Sequence, residues 1–472
     1  MKAKKTENKK NVGRSFKARK PTESVVKTQD ELDSEVKVAK GKLPPVLRGM
    51  RDILPREGGF WKDMYHKAEG VVDAYCYEYI ETPKMEDAAL FIRSIGRGTD
   101  VVEKEMYIFE DAEGGKICLR PEATASVVRA YISHGMQTYP QPVKLWYYGP
   151  MFRHDRPQAG RYREFHQFGC ENFGVHDPVI DAELISVAFN FLRDLGIDCL
   201  VHINSIGTAD DRRDYIIELS GYLRAKRGYL CDDCKKRIGR NPLRVLDCKN
   251  EQCQPIIEEA PQIIDWLSPA SKNYFMKVLE YLDEAKIPYE LKQTLVRGLD
   301  YYTETVFELY EENPTDIETR QSALGGGGRY DMLVAQMGGQ PTPGCGFAMG
   351  LERVAAILRR ISEKNAEKTE ERQKLDKSVI FFAQLGEQAR QKALRMVEDL
   401  RRAGIKMHHN LGKSSLKAQL EQANKLRAAY ALILGQKEVQ DGTIIIRDME
   451  SGIQEIVDQK KMKAAIEKKM EA

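Results

Sequence analysis

The stretch VKLWYYGPMFRHDRPQAGRYREFHQFGCENFG, residues 143–174, constrains the fold more than any other part of the chain. Both ends are rich in aromatic and β-branched residues, which fit a pleated, half-buried surface, and the middle is a long basic loop. Two strands joined by that loop are predicted. Basic loops are ordinarily just solvated. This one carries Arg153, Arg156, Arg161 and Arg163 on or beside it, lies between apolar strands, and is followed at once by Phe165. Guanidinium groups beside an aromatic platform suit an anionic ligand with a flat base: charge for phosphate, a π-face for the ring.

A second stretch, RGLDYYTETVFE (297–308), alternates like a strand after its first residues. Arg297 and the Tyr301/Tyr302 pair need polar partners if that strand is buried. GCGFAMGLERV (344–354) reads as a glycine-rich strand-to-helix turn with Arg353 near the helix start. By itself it is weak evidence, since such turns are more often packing than binding. RPEATA (120–125) follows a strand and opens a helix, with Pro121 where a missing N–H costs nothing. GGGG at 325–328 is expected to be a turn.

At 472 residues the chain is too long for one core. The charged and apolar fractions, 31% and 42%, are those of a globular protein, and no apolar run approaches the ~18 residues of a membrane span. Nine scattered cysteines argue against a disulfide framework and for a reducing, cytoplasmic compartment. Residues 1–43 read as a disordered basic tail: the first twenty hold nine basic residues and one acidic. Such a tail is either a solvated segment or an electrostatic arm toward a polyanion. Residues 44–206 and 291–360 form one expected α+β domain, interrupted by a largely helical insertion at 207–290. A charged linker at 361–376 leads to an α/β domain at 377–472, whose strand and helix patterns alternate as in βαβ units with a largely parallel sheet.

Within the insertion, Cys231, Cys234, Cys248 and Cys253 have C-x2-C…C-x4-C spacing. Four thiolates can close a tetrahedral structural zinc site. The second pair is spaced more widely than a zinc knuckle, so free cysteines or a degenerate site stand beside the zinc reading.

The order of these motifs, with ALGGGGRYD (323–331) between the second and third, resembles histidyl-tRNA synthetase of the class II aminoacyl-tRNA synthetases over about residues 44–465. The resemblance implies an α+β catalytic core on an antiparallel sheet, a helical insertion and a C-terminal α/β anticodon-binding domain. It implies activation of L-histidine by ATP, with Mg2+, and transfer to tRNA(His) by a cytoplasmic homodimer without a membrane segment. Arg153 and Arg297 would be the catalytic pair at the α-phosphate and the amino-acid carboxylate. Arg161 and Arg353 would hold the γ-phosphate and Phe165 the adenine. Glu122, Thr124 and Gln167 would hold the α-amino group, Glu171 and Tyr302 the imidazole, with Tyr301 completing the wall. Arg156 and Gln158 would meet the tRNA acceptor end, and Lys413, Lys417, Lys425 and Arg427 would add positive charge in the C-terminal domain. In RPEATA, Ala123 stands where the family commonly has glycine, which is tolerable if the backbone there is right-handed. A histidine-sensing regulatory paralogue without catalysis is the main alternative, and a purely RNA-binding pseudo-enzyme a third.

Overall fold

The computed structural model describes residues 43–96, 99, 101–155, 160–314, 322–368, 379–412 and 415–471. The basic tail to residue 42, Arg156, Gln158, Lys413, 369–376 of the expected linker and the first two residues of the expected C-terminal domain, 377–378, lie outside the described residues. The chain divides into two compact units, Met1–Ile361 and Ser362–Ala472.

In the first unit a short strand β1 (Glu78–Tyr79) precedes a small antiparallel sheet of β2 (Met85–Asp87), β3 (Ile108–Glu110) and β4 (Lys116–Leu119), ordered β2-β4-β3. The main sheet then adds β5 (Val143–Phe152), β6 (Glu164–Phe173), β7 (Cys199–Ser205), β8 (Tyr289–Leu291), β9 (Thr303–Glu311), β10 (Gly325–Arg329) and β11 (Gly344–Gly350). Its order is β1-β5-β6-β11-β10-β9-β7-β8. The strands from β5 to β7 in that order pair antiparallel; only the short outer strands β1 and β8 pair parallel to their neighbours. The expected antiparallel α+β core is therefore present, and 143–174 is its longest hairpin.

Side chains alternate between the two faces of a strand, and the core follows that period. On β5, Val143, Leu145 and Tyr147 join one cluster, while Trp146 and Tyr148 pack into the other. The Trp146 face is covered by three helices, Gly58–Ala74, Pro178–Asp194 and Pro269–Glu284, which bury Met64, Val72, Leu184, Phe191, Phe275 and Val278 against it. The helix Pro269–Glu284 and β8 thus belong to the main sheet's packing, although the helix falls inside the stretch read as one insertion and β8 straddles its end. The other face carries the helix Thr124–Ser133, the 295–302 loop, the helix Ala209–Ala225 and the short helices between residues 232 and 258.

The glycine run at 325–328 is a central strand, not the expected turn, and GCGFAMG is likewise strand throughout. The reason is space. A Cβ on Gly327 would sit 2.0 Å from the Gly346 carbonyl oxygen, and one on Gly326 would sit 2.7 Å from Arg297 Nη1. On β11 the large residues Cys345, Phe347 and Met349 face the helical layer, while the bare positions Gly344, Gly346 and Gly350 alternate with them.

In the second unit β12 (Ile380–Gln384), β13 (His408–His409), β14 (Tyr430–Leu434), β15 (Thr443–Asp448) and β16 (Gln454–Asp458) form one sheet, ordered β13-β12-β14-β15-β16. The βαβ half is parallel as expected, but β14-β15-β16 is antiparallel, so the sheet is mixed rather than largely parallel. Strand β16 escaped the sequence reading because three of its five residues are polar, two of them charged, and most are exposed, leaving no apolar alternation to see. Ile380 and Phe382 pack on one face under the helix Glu387–Arg402; Phe381 and Ala383 pack on the other. Among the described residues no helix is long and apolar enough to cross a membrane.

Candidate active site

A cavity of about 590 Å³ opens on the Tyr147 face of the main sheet, a size ordinary for a small-molecule site. Glu122, Thr124, Arg153, Arg161, Phe165, Gln167, Arg297, Tyr301, Tyr302 and Arg353 all line it. Spacing of two along β6 turns Phe165, Gln167 and Glu171 to the same side. Glu171 itself does not reach the lining. It is fully buried just beneath Gly346, where a Cβ would fall 1.7 Å from its Oε2.

At the polar end, RPEATA behaves as the sequence suggests. Ala123 has φ −104°, ψ −23°, the right-handed region in which the methyl is harmless. The Glu122 carboxylate accepts from the Thr124 N–H at 2.6 Å and the Ala125 N–H at 2.9 Å, satisfying two orphan donors of the helix start. Thr124 Oγ1 donates to Glu171 Oε1 at 2.8 Å. Glu171 also accepts from the hydroxyls of Tyr147, at 3.4 Å, and Tyr330. Burial pushes the Glu171 carboxyl up to about 8, and burial also raises Glu122. The phenols of Tyr301 and Tyr302 are raised by burial as well, so both remain neutral hydrogen-bonding groups. Their rings lie 4.6 Å apart.

At the cationic end, Arg153 Nε donates to the Pro121 carbonyl at 2.8 Å, and its guanidinium lies 5.4 Å over the Phe165 ring. Arg297 Nη1 donates to Glu308 Oε1 at 2.5 Å, with its guanidinium 5.5 Å over Tyr302. Burial opposes the Arg297 charge, but Tyr302 and Glu308 outweigh it and hold the group protonated. Arg353, in the first turn of its helix, donates to the Ala323 carbonyl. Burial and then the neighbouring Arg161 lower its pKa. Cations pressed together in this way are relieved by an anion between them. Two buried lining atoms, Arg297 Nε and Gln167 Oε1, have no hydrogen-bond partner among the described residues.

Several lining residues escaped the sequence reading. Glu308 ends the motif that holds Arg297, and Arg237, Arg244, Asp247 and Lys249 come from the cysteine-bearing segment. Tyr330, the penultimate residue of ALGGGGRYD, lies outside the lining and donates its hydroxyl to Glu171. Only Glu308 and Tyr330 had a signal, as polar residues at or next to the end of glycine- or tyrosine-rich motifs. The 237–249 segment reaches the cavity by tertiary folding alone. The four cysteines of that segment bring their sulfurs within 4.8 Å of one another.

Comparison with known proteins agrees with this geometry. The family model for histidyl-tRNA synthetase matches residues 49–207 and 256–354, and that for an anticodon binding domain matches 378–469. A histidine–tRNA ligase of Dehalococcoides mccartyi (strain 195) is 45% identical over 404 residues, 85% of this chain and 94% of the relative. One from Anaeromyxobacter sp. (strain K) is 44% identical over 405 residues, 86% of this chain and 95% of the relative. The crystal structure of apo S. aureus histidyl-tRNA synthetase superposes with a TM-score of 0.73 at 34% identity, covering 90% of this chain and all of that one. With the motifs in order, the antiparallel sheet beneath them and these relatives along most of its length, the chain belongs to the histidyl-tRNA synthetase family.

Proposed function

We propose that the chain is a histidine–tRNA ligase: it activates L-histidine with ATP to histidyl-adenylate, releasing pyrophosphate, and transfers histidine to tRNA(His). The observation that carries the reading is one cavity lined by Arg153, Arg161, Arg297 and Arg353 together with Glu122, Thr124, Gln167, Tyr301 and Tyr302. Carboxylate attack on a phosphoryl centre needs alignment and neutralised charge rather than covalent help. Arg153 and Arg297 would bridge the amino-acid carboxylate and the α-phosphate. Arg297 Nε is a buried donor available to charge that develops in the transition state. Arg353 and Arg161 would take the γ-phosphate and Phe165 the adenine face. Mg2+ would arrive on the phosphates; it needs few protein oxygens, and Glu308 is a lining donor beside Arg297.

Glu122, Thr124 and Gln167 would hold the α-amino group, with Tyr302 against the imidazole and Tyr301 beside it. Glu171 would act on the ring from beneath the lining, through Thr124 and past Gly346. A site of this kind rejects analogues that leave its buried polar groups unpaired. The C-terminal unit would read the anticodon, helped by Lys417, Lys425 and Arg427. Exposed Tyr79 on β1 and exposed Met85, Ile108 and Phe109 on the small sheet support a homodimer, which light scattering at micromolar concentration tests. Nine unbridged cysteines support a reducing cytoplasm.

The regulatory-paralogue reading is not favoured: the relatives at 44–45% identity are ligases, and they match most of the chain. Histidine-dependent exchange of pyrophosphate into ATP is the test. No exchange with L-histidine and Mg-ATP, at any enzyme concentration, returns the chain to the sensor reading.

A further inference from the structure

The four cysteines at the edge of the cavity, of which Cys248 lines it, form a built site. Their Sγ atoms all lie within 4.8 Å of one another, and those of Cys231 and Cys248 are 3.9 Å apart. A zinc ion about 2.3 Å from each of four sulfurs sets the sulfurs about 3.8 Å from each other. A disulfide would need about 2.05 Å, and all four cysteines are unbridged. Cys234, Cys248 and Cys253 are buried and Cys231 partly so. The Cys231 N–H donates to Cys253 Sγ at 3.2 Å, a backbone contact that stabilises a thiolate and fixes its direction.

The surrounding chain is held from one side, where Ile238, Val245 and Leu246 are buried in the core cluster. Its helices, Asp232–Arg237 and Leu243–Leu246, have six and four residues, too short to persist without a tertiary anchor. Yet the segment between Cys234 and Cys248 roofs the cavity. Asn241 Nδ2 donates to Asp300 Oδ1 at 2.8 Å, and Arg244 Nη1 stands 2.9 Å from where a Gly298 Cβ would be. Arg244, Asp247 and Lys249 line the cavity across from the 297–302 loop.

We propose that Cys231, Cys234, Cys248 and Cys253 hold one zinc ion, and that this ion positions the 235–249 roof against the loop bearing Arg297 and the tyrosines. Each end of the roof is tied to a ligand, Cys234 at one side and Cys248 at the other. Removing the metal frees both ends, and the Asn241–Asp300 and Arg244–Gly298 contacts go with them. The metal half stands on the cluster alone; the positioning half rests on the reading of the cavity as the histidine site.

The test uses the full-length protein, purified under reducing conditions. Metal analysis is expected to find about one zinc per chain. A mercurial thiol reagent should release it to a chromophoric chelator, and cobalt in its place should give the visible bands of a tetrahedral tetrathiolate. Less than ~0.1 zinc per chain after equilibration with zinc, or disulfides mapped among the four cysteines, overturns the site. Hydrogen exchange then reads the second half. Zinc removal, or Cys253→Ser, should speed exchange at 235–249 and 297–302 by ~10-fold or more, with the C-terminal unit unchanged. Zinc added back to the stripped wild-type protein should restore protection, which separates a positioning role from a misfolded variant. Exchange at 297–302 that ignores the metal overturns the positioning role even if zinc is bound, and does so whether or not pyrophosphate exchange is observed.

Discussion

Replacing Glu171 by glutamine tests the electrostatics under the cavity. Glu171 is wholly buried, and burial raises its carboxyl from the ordinary ~4.3 to about 8. Its folded pKa therefore lies above its unfolded one. Below about pH 4 both states hold the proton and the group is neutral toward stability. As pH rises, the unfolded chain releases the proton first and folding loses up to ~1.4 kcal/mol per unit, until the folded group also ionises near 8. Between pH 5 and 8 that amounts to roughly 3 kcal/mol. Glutamine cannot ionise; its one oxygen can replace Oε1 and accept from Thr124 and Tyr147, while its amide NH2 faces the Tyr330 hydroxyl, a cost that does not vary with pH. Glu122, also raised by burial, is present in both proteins, and its charge is one of the causes that raise Glu171, so the two carboxyls titrate as a coupled pair in the wild type. All three tryptophans, Trp61, Trp146 and Trp266, lie in the first unit, so their fluorescence during urea unfolding reports it alone. The stability of Glu171→Gln relative to wild type should climb by roughly 3 kcal/mol from pH 5 to pH 8. A difference that stays constant within ~0.5 kcal/mol over that range refutes the raised carboxyl.

Three further outcomes are expected. Arg297→Ala should lower kcat for pyrophosphate exchange by ~10²-fold or more with little change in the histidine KM, as for loss of a transition-state donor; a change confined to KM contradicts that role. Gly327→Ala places a methyl 2.0 Å from the Gly346 carbonyl oxygen, so the first unit should lose ~2 kcal/mol or more by tryptophan-monitored urea unfolding, and an unchanged midpoint means the strands there can part freely. A chain ending at Lys368 removes the second unit but keeps the cavity, so it should retain histidine-dependent exchange while charging tRNA poorly and showing a shallower salt slope of tRNA binding; charging equal to full length at matched salt removes the C-terminal unit from tRNA reading.

The strands VKLWYYGPMF and its partner were legible because burial on two faces leaves a run of aromatic and β-branched residues in the sequence itself. So was the chemistry at the ends of strands: arginines, tyrosines and RPEATA announce polar work wherever they are buried. Local pattern failed where the deciding neighbour is remote. GGGG looks like a turn because glycine is the commonest turn former, but here Gly346 and Arg297, from other strands and loops, leave no room for a Cβ. Glu171 carries the same residue type as Glu122, two strands away in the chain; only the packing of Gly346 and three hydroxyls over it sinks it below the cavity lining. The roof residues Asn241, Arg244 and Asp247 have no local mark of function at all. Cysteine spacing raised the zinc question, and its answer turns on the distances between sulfurs, which spacing does not determine. Sequence by itself determined which groups are available and how each strand faces. Which of them meet around one cavity was decided by tertiary packing, because a distance across a sheet depends on both chains that make it.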